Sequence, residues 1–105
     1  MATPFSVEIW VEVSGAHWLS QATRDAVKHD LENQMQTYGL YPRPRVTWID
    51  DTHVSVQIVV DGEQDRAGEY AMKLVLQRMT DAGLGRPQDL RASIQSVETF
   101  AGWDA

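Results

Sequence analysis

The stretch Phe5-Ser6-Val7-Glu8-Ile9-Trp10-Val11-Glu12-Val13 places an apolar side chain at every second position, and all but one of the side chains between them are polar. Successive side chains of a β-strand point to opposite faces, so this alternation predicts a strand that is covered on one face only. The inward side chains are Val7, Ile9, Val11 and Val13. The outward side chains are Ser6, Glu8, Trp10 and Glu12.

A helix is predicted after this strand. Ser20 is suited to its N-cap, and the helix is expected to run to about Tyr38. Its apolar stripe consists of Val27, Leu31, Met35 and Tyr38. The charged side chains of the opposite face, which we expect in solvent, are Arg24, Lys28 and Glu32. Gly39 stands where a helix takes a left-handed C′ residue, with Leu40 after it, which predicts a Schellman C-cap.

Two strands follow, at Arg45 to Asp50 and His53 to Val60, around a turn formed by Asp50-Asp51-Thr52. The second strand alternates cleanly. The first strand is ambiguous, because Val46 and Trp48 share a face and Ile49 falls on the other. The turn lacks the Asn-Gly or Asp-Gly of a two-residue hairpin, so its type stays open.

The second helix is predicted from an N-cap at Asp61 to about Ala82, with Gly83 repeating the C-cap arrangement. Its inward stripe contains small residues, which let a helix approach a sheet closely. A last strand is expected from about Leu90 to Val97, where Val97 breaks the alternation and suggests a bulge or the strand end.

The predicted order is therefore β-α-β-β-α-β, and right-handed crossovers place both helices on one face of the sheet. This arrangement resembles the ferredoxin-like α+β sandwich, a two-layer fold. The resemblance implies a four-stranded antiparallel sheet in the order 4-1-3-2. One domain is expected over residues 1–105, with a core over about 5–97 and an aromatic-containing tail at 98–105.

Composition removes several classes of function. The 105 residues carry a formal net charge of −6 and no cysteine, which excludes disulfides, thiolate nucleophiles and Cys-based metal sites. The acidic balance and unclustered basic residues disfavour nucleic-acid binding, and no apolar run is long enough for a membrane span. With no signal-peptide pattern, we expect a cytoplasmic protein, and the preference for Arg over Lys suggests a bacterial or phage accessory protein.

The sheet face away from the helices is where a partner is expected. Trp10, Ile49 and Val59 are apolar on a face that solvent alone would keep polar. We interpret these three as an apolar anchor. The surrounding charged residues expected to set specificity are Glu8, Glu12 and Arg91. The two glutamates lie roughly 13 Å apart along a strand, too far for a shared proton, and an ion pair with Arg91 is the simpler interpretation.

Other candidate sites carry weaker signals. His17 and Trp18, in the loop before the first helix, suggest a ligand pocket, although Trp18 and Leu19 folding under the helix start is the simpler interpretation. The three histidines lack metal-ligand spacing, and the serines lack a nucleophile-elbow motif. We therefore predict no catalytic residue, no metal and no cofactor.

The leading hypothesis is a small non-enzymatic interaction module that binds a protein partner or itself through the open sheet face. One alternative is a ligand-binding or enzymatic dimer formed by two facing sheets. A second alternative is an acidic mimic of nucleic acid, for which the acids should cluster on one face.

Overall fold

The chain forms one antiparallel four-stranded sheet with two helices. The computed structural model describes residues 3–34 and 44–101. The strands are β1 (Thr3–Val13), β2 (Arg45–Trp48), β3 (His53–Gly62) and β4 (Leu90–Thr99), and the helices are α1 (Gln21–Gln34) and α2 (Gln64–Asp81). The strand order is β2-β3-β1-β4, which is the predicted 4-1-3-2 order counted from the opposite edge. The ferredoxin-like α+β sandwich is therefore confirmed.

The core lies between the sheet and the helices. The inward side chains of β1 are fully buried, as the alternation predicts, and they join one apolar cluster with side chains from both helices. The helix residues in this cluster are Leu31 of α1 and Ala67, Ala71, Val75 and Met79 of α2. Because both helices share this cluster, they cover the same face of the sheet, and neither helix lies on the other face.

The end of α2 has the predicted Schellman geometry. Gly83 adopts φ +81°, a left-handed conformation that suits glycine. The Leu84 N–H donates to the Met79 carbonyl at 3.1 Å, and the Gly83 N–H donates to the Thr80 carbonyl at 3.0 Å. The corresponding C-cap predicted at Gly39 lies outside the described residues.

The start of α2 differs from the prediction. Asp61 is not the N-cap, because β3 continues through Asp61 and Gly62, which pair with Pro4 and Thr3 of β1. The helix begins at Gln64, after an extended Glu63 that makes no side-chain capping bond. Pairing with a long first strand outweighs the local capping preference of Asp61.

A bulge in β4 explains the broken alternation near the end of the sequence. The register between β1 and β4 shifts beside Ile9, so that Gln95 is an extra residue without a partner on β1. Ile94 and Val97 consequently both face α2, where their side chains lie 3.0 Å and 3.1 Å from where a Cβ on Gly68 would stand. The bulge thus returns Val97 to the core face, and Gly68 permits the close approach that the small-residue stripe predicts.

Arg24 of α1 is buried, at 6% exposure, and its predicted place in solvent is wrong. Its guanidinium donates to the backbone carbonyls of Ala16 at 2.6 Å, Asp51 at 2.8 Å and Asp50 at 3.3 Å. It also lies 4.7 Å from the centre of the Trp48 ring. Carbonyl oxygens from two separate loops replace the water that this charge would otherwise need.

The remaining charged side of α1 contacts the edge of the sheet. The Glu32 carboxylate accepts the backbone N–H of Val46, on β2, at 3.1 Å. Lys28 lies 3.3 Å from the same carboxylate oxygen. The face of α1 that was predicted to be in solvent therefore contacts β2, because the charged groups of this face have partners there.

We expect Arg24→Met to destabilise the fold by about 2 kcal/mol or more, because the substitution leaves several carbonyls without their charged donor. The control is Arg66→Met, which removes an exposed arginine from α2 and should change the free energy of unfolding by less than about 0.5 kcal/mol. Urea unfolding followed by circular dichroism measures both. Equal effects of the two substitutions would show that Arg24 does not hold the loops together.

Candidate functional site

The side of the sheet away from the helices, called the open face here, presents three rows of side chains in register around Trp10. Each row crosses the sheet in the order β2, β3, β1, β4. The first row is Arg45, Gln57, Glu8 and Ser96. The second row is Thr47, Ser55, Trp10 and Ser93. The third row is Ile49, His53, Glu12 and Arg91. The open face thus mixes both signs of charge around central aromatic and small polar residues.

Trp10 stands near the centre of the open face with 39% of its surface exposed, as predicted. Its indole N–H donates to Glu8 Oε2 at 3.3 Å. The Ser55 hydroxyl, on the neighbouring strand, donates to the same oxygen at 3.0 Å. Glu8 therefore orients the indole, and the predicted ion pair of Glu8 with Arg91 is replaced by these two hydrogen bonds.

A shallow depression flanks Trp10 on each side. The one toward β2 encloses about 370 Å³ and is bordered by Ile49 and Arg45. The one toward β4 encloses about 270 Å³ and is bordered by Glu12 and Arg91. Arg45 was not among the predicted site residues, although it shares the parity of Ile49 along β2. The Trp10 side chain thus projects between two shallow depressions, a shape that an apolar partner surface can fit.

Of the other two predicted anchors, one is available and one is not. Ile49 is 44% exposed, and its N–H donates to the His53 carbonyl at 2.9 Å, which extends the β2–β3 ladder by one residue. Val59 pairs with Ser6 on the side of the open face, yet it is only 2% exposed. Its predicted role as an exposed anchor is therefore wrong, because strand parity assigns a face but does not report what covers it.

Glu12 and Arg91 are directly opposite each other on β1 and β4. Within the described residues, however, Arg91 forms no ion pair, and the nearest basic group to Glu12 is His53, whose Nε2 lies 4.0 Å from Glu12 Oε2. The predicted cross-strand ion pair is not made. Glu12 has a basic neighbour on each side, and its carboxylate lies nearer to the one on β3.

His53 is held by the turn that precedes it. Asp50 Oδ1 accepts the backbone N–H groups of Thr52 and His53, both at 2.8 Å, which defines the turn left open by the sequence as an Asx-type turn. His53 Nδ1 lies 2.9 Å from the same oxygen, and since an ionised carboxylate only accepts, Nδ1 carries the proton. The Thr52 N–H, followed by the His53 ring, lowers the pKa of Asp50 to about 2.

This Asp–His pair has half of the arrangement used in nucleophilic catalysis. The other half is a hydroxyl or thiol hydrogen-bonded to Nε2, and no such bond occurs in the part of the chain that the structure describes. Nε2 instead faces the Glu12 carboxylate. The geometry fixes the direction of the imidazole ring at the rim of the open face and provides no activated nucleophile.

The loop before α1 carries His17 and Trp18, the two residues that the sequence suggests for a ligand pocket. Ala16 points into the core, whereas Trp18 is 83% exposed and so neither folds under the helix start nor walls an enclosed cavity. Leu19 packs against the core, as the simpler interpretation predicts. The short helical turn separates these directions, and the side chain of His17 lies outside what the structure describes.

Comparisons of this chain with known proteins give no indication of its function. The chain matches no family model, and no curated protein or solved structure is significantly similar to it. Among residues 3–34 and 44–101, no three His, Asp or Glu side chains are grouped so as to hold a metal ion. In the same ranges neither helix is long and apolar enough to cross a lipid bilayer.

The lowered pKa of Asp50 predicts an acid-dependent contribution to stability. Because the folded-state pKa lies below the usual 3.8, the ionised carboxylate stabilises the fold fully above about pH 4, and this contribution is lost as the pH falls toward 2. We therefore expect Asp50→Ala to lower the melting temperature at pH 7, with the difference from the wild type shrinking between pH 4 and pH 2.

Thermal unfolding followed by circular dichroism over this pH range measures the effect. Asp50→Asn is the matched control, since it keeps an acceptor oxygen for the two N–H groups and removes only the charge. A difference between Asp50→Ala and the wild type that stays constant down to pH 2 would contradict the assigned turn.

Proposed function

We propose that this protein is a small interaction module that docks onto a protein surface through its open face. The observation that supports this proposal is Trp10, a large aromatic side chain exposed at the centre of a sheet face that both helices leave uncovered. Tryptophan is enriched among the residues that dominate binding energy, and such residues lie near the middle of an interface.

Trp10 is also prepared for binding before a partner arrives. Its backbone is fixed between two paired strands, and its indole is oriented by Glu8. An anchor that is already held in one conformation loses little entropy on association. The exposed Ile49 adds apolar surface across the depression toward β2.

The two alternatives fit the open face less well. A nucleic-acid mimic needs a face of uniform negative charge, whereas Arg45 and Arg91 stand in the same rows as Glu8 and Glu12. A small-ligand site is typically an apolar cavity of about 300–1,000 Å³ that encloses its ligand. The two hollows beside Trp10 lie at or below the lower end of this range and are bordered by charged side chains.

We expect Trp10→Glu to abolish docking, with an affinity loss of at least about 2 kcal/mol, or about 30-fold. Trp18→Glu is the matched control, because Trp18 is a more exposed tryptophan in the loop before α1. Light scattering of the purified variants reports self-association. Affinity capture with the tagged variants from the source cells reports other partners.

The proposal requires that whatever binds the wild type is lost with Trp10→Glu and retained with Trp18→Glu. Binding that survives Trp10→Glu, or the absence of both self-association and any captured protein, would overturn it. Circular dichroism of both variants shows whether each retains the fold.

A further inference from the structure

We propose that the partner of the open face is a second copy of this chain, docked sheet against sheet about a two-fold axis that runs along the strands between β1 and β3. This inference rests on the proposed function. A two-fold interface must be complementary to itself, so that each residue and the residue it meets exchange roles in the other copy. The rows of the open face satisfy this condition for that axis.

The axis places β1 of one copy opposite β3 of the other and β4 opposite β2. Each row of one copy then faces the same row of the second copy. In the central row, Trp10 then meets Ser55 of the second copy, a large side chain against a small one. In the third row, Glu12 meets His53 of the second copy. Like charges do not face each other directly anywhere in the three rows.

The same axis accounts for Arg91 and Ile49. Arg91 forms no ion pair within the described residues, and Ile49 is an exposed apolar side chain on the opposite edge of the sheet. The axis brings them together across the two copies, so that the aliphatic stem of Arg91 covers Ile49 while the guanidinium reaches solvent. Both exposed apolar side chains of the open face, Trp10 and Ile49, become covered.

An axis across the strands at the level of Trp10 lacks this complementarity. If it passed through the row of Trp10, each Glu8 would face Glu12 of the other copy, and this like-charge contact would occur twice.

The size of the open face predicts the strength of the dimer. Four strands span about 19 Å, and three rows of side chains span about 20 Å along them. This planar footprint of about 400 Å² is small beside the roughly 800 Å² of accessible surface that each partner buries in a standard stable interface. We therefore expect a dimer that dissociates on dilution, and the association is measured as a concentration series.

The experiment is sedimentation velocity over a dilution series with the substitutions Ile49→Arg and Arg91→Glu. Ile49→Arg places an arginine against Arg91 of the second copy at two positions, and we expect at least about tenfold weaker association. Arg91→Glu alone should also weaken association, because it sets a carboxylate on Ile49. The double variant should associate within about threefold of the wild type, since arginine and glutamate then meet at both positions.

This rescue acts only between copies. Ile49 and Arg91 lie on opposite edges of the sheet, about 14 Å apart in one chain, so they cannot pair within it. An equimolar mixture of the two single variants provides a second measurement, because one of its two contacts then pairs the introduced arginine with the introduced glutamate and the other keeps the wild-type pair. Arg66→Glu, on the exposed side of α2, makes the same charge change as Arg91→Glu and should leave association unchanged.

A wild type that stays monomeric at all concentrations would overturn the second copy as the occupant. The proposed function would stand in that case if a captured protein is lost with Trp10→Glu and kept with Trp18→Glu. A dimer that both single variants weaken, but that neither the double variant nor the mixture restores, would overturn the assigned axis.

Discussion

The buried guanidinium of Arg24 is the constraint on which the geometry of the open face depends. A charge removed from water is costly unless hydrogen bonds replace its hydration. Here the replacement comes from the carbonyls of Ala16, before α1, and of Asp50 and Asp51, between β2 and β3. One side chain thus fastens two loops that are distant in sequence, and it fixes the turn from which β3 departs.

That turn determines which side chains reach the open face. A strand that slips by one residue exchanges its two faces completely. With the carbonyl of Asp50 held from below by Arg24, the carboxylate of the same residue accepts the N–H of His53 and starts β3 in one register. Ser55 consequently lies beside Trp10, and the hydrogen bonds to Glu8 follow from that placement. A helix residue on the core side therefore controls the surface on the far side of the sheet.

The sequence was sufficient for the features that depend on local periodicity. The alternation of β1 predicted its inward and outward residues. The break at Val97 predicted a bulge or the strand end, and the structure has the bulge, at the extra Gln95. The strand order followed from the resemblance of the predicted element order to the ferredoxin-like fold. The exposure of Trp10 and Ile49 was predicted in the same way, because parity alone identifies their face.

The features that the sequence did not reveal depend on contacts between distant segments. Arg24 lies at a helix position that periodicity assigns to solvent, and its carbonyl partners come from loops whose approach no local pattern encodes. Glu12 faces Arg91 in the register but leans toward His53, because the Asx turn fixes the imidazole ring within reach. Val59 has the parity of the open face and is nevertheless covered. The alternation of β1 therefore predicted the face of Glu12 correctly, but it did not predict which basic group the Glu12 carboxylate approaches.

The bulge at Gln95 also makes the free edge of β4 unsuitable for pairing with a strand of another molecule. A sheet edge with evenly spaced free N–H and C=O groups is a template on which another chain can add a strand without limit. β4 ends the sheet on one side, and its bulge interrupts that even spacing midway along the strand. On the other side β2 is only four residues long, and Glu32 occupies the outward N–H of Val46. Both rims are therefore unsuited to strand addition, and the proposed two-fold contact through the open face would close after two molecules instead of extending into fibres.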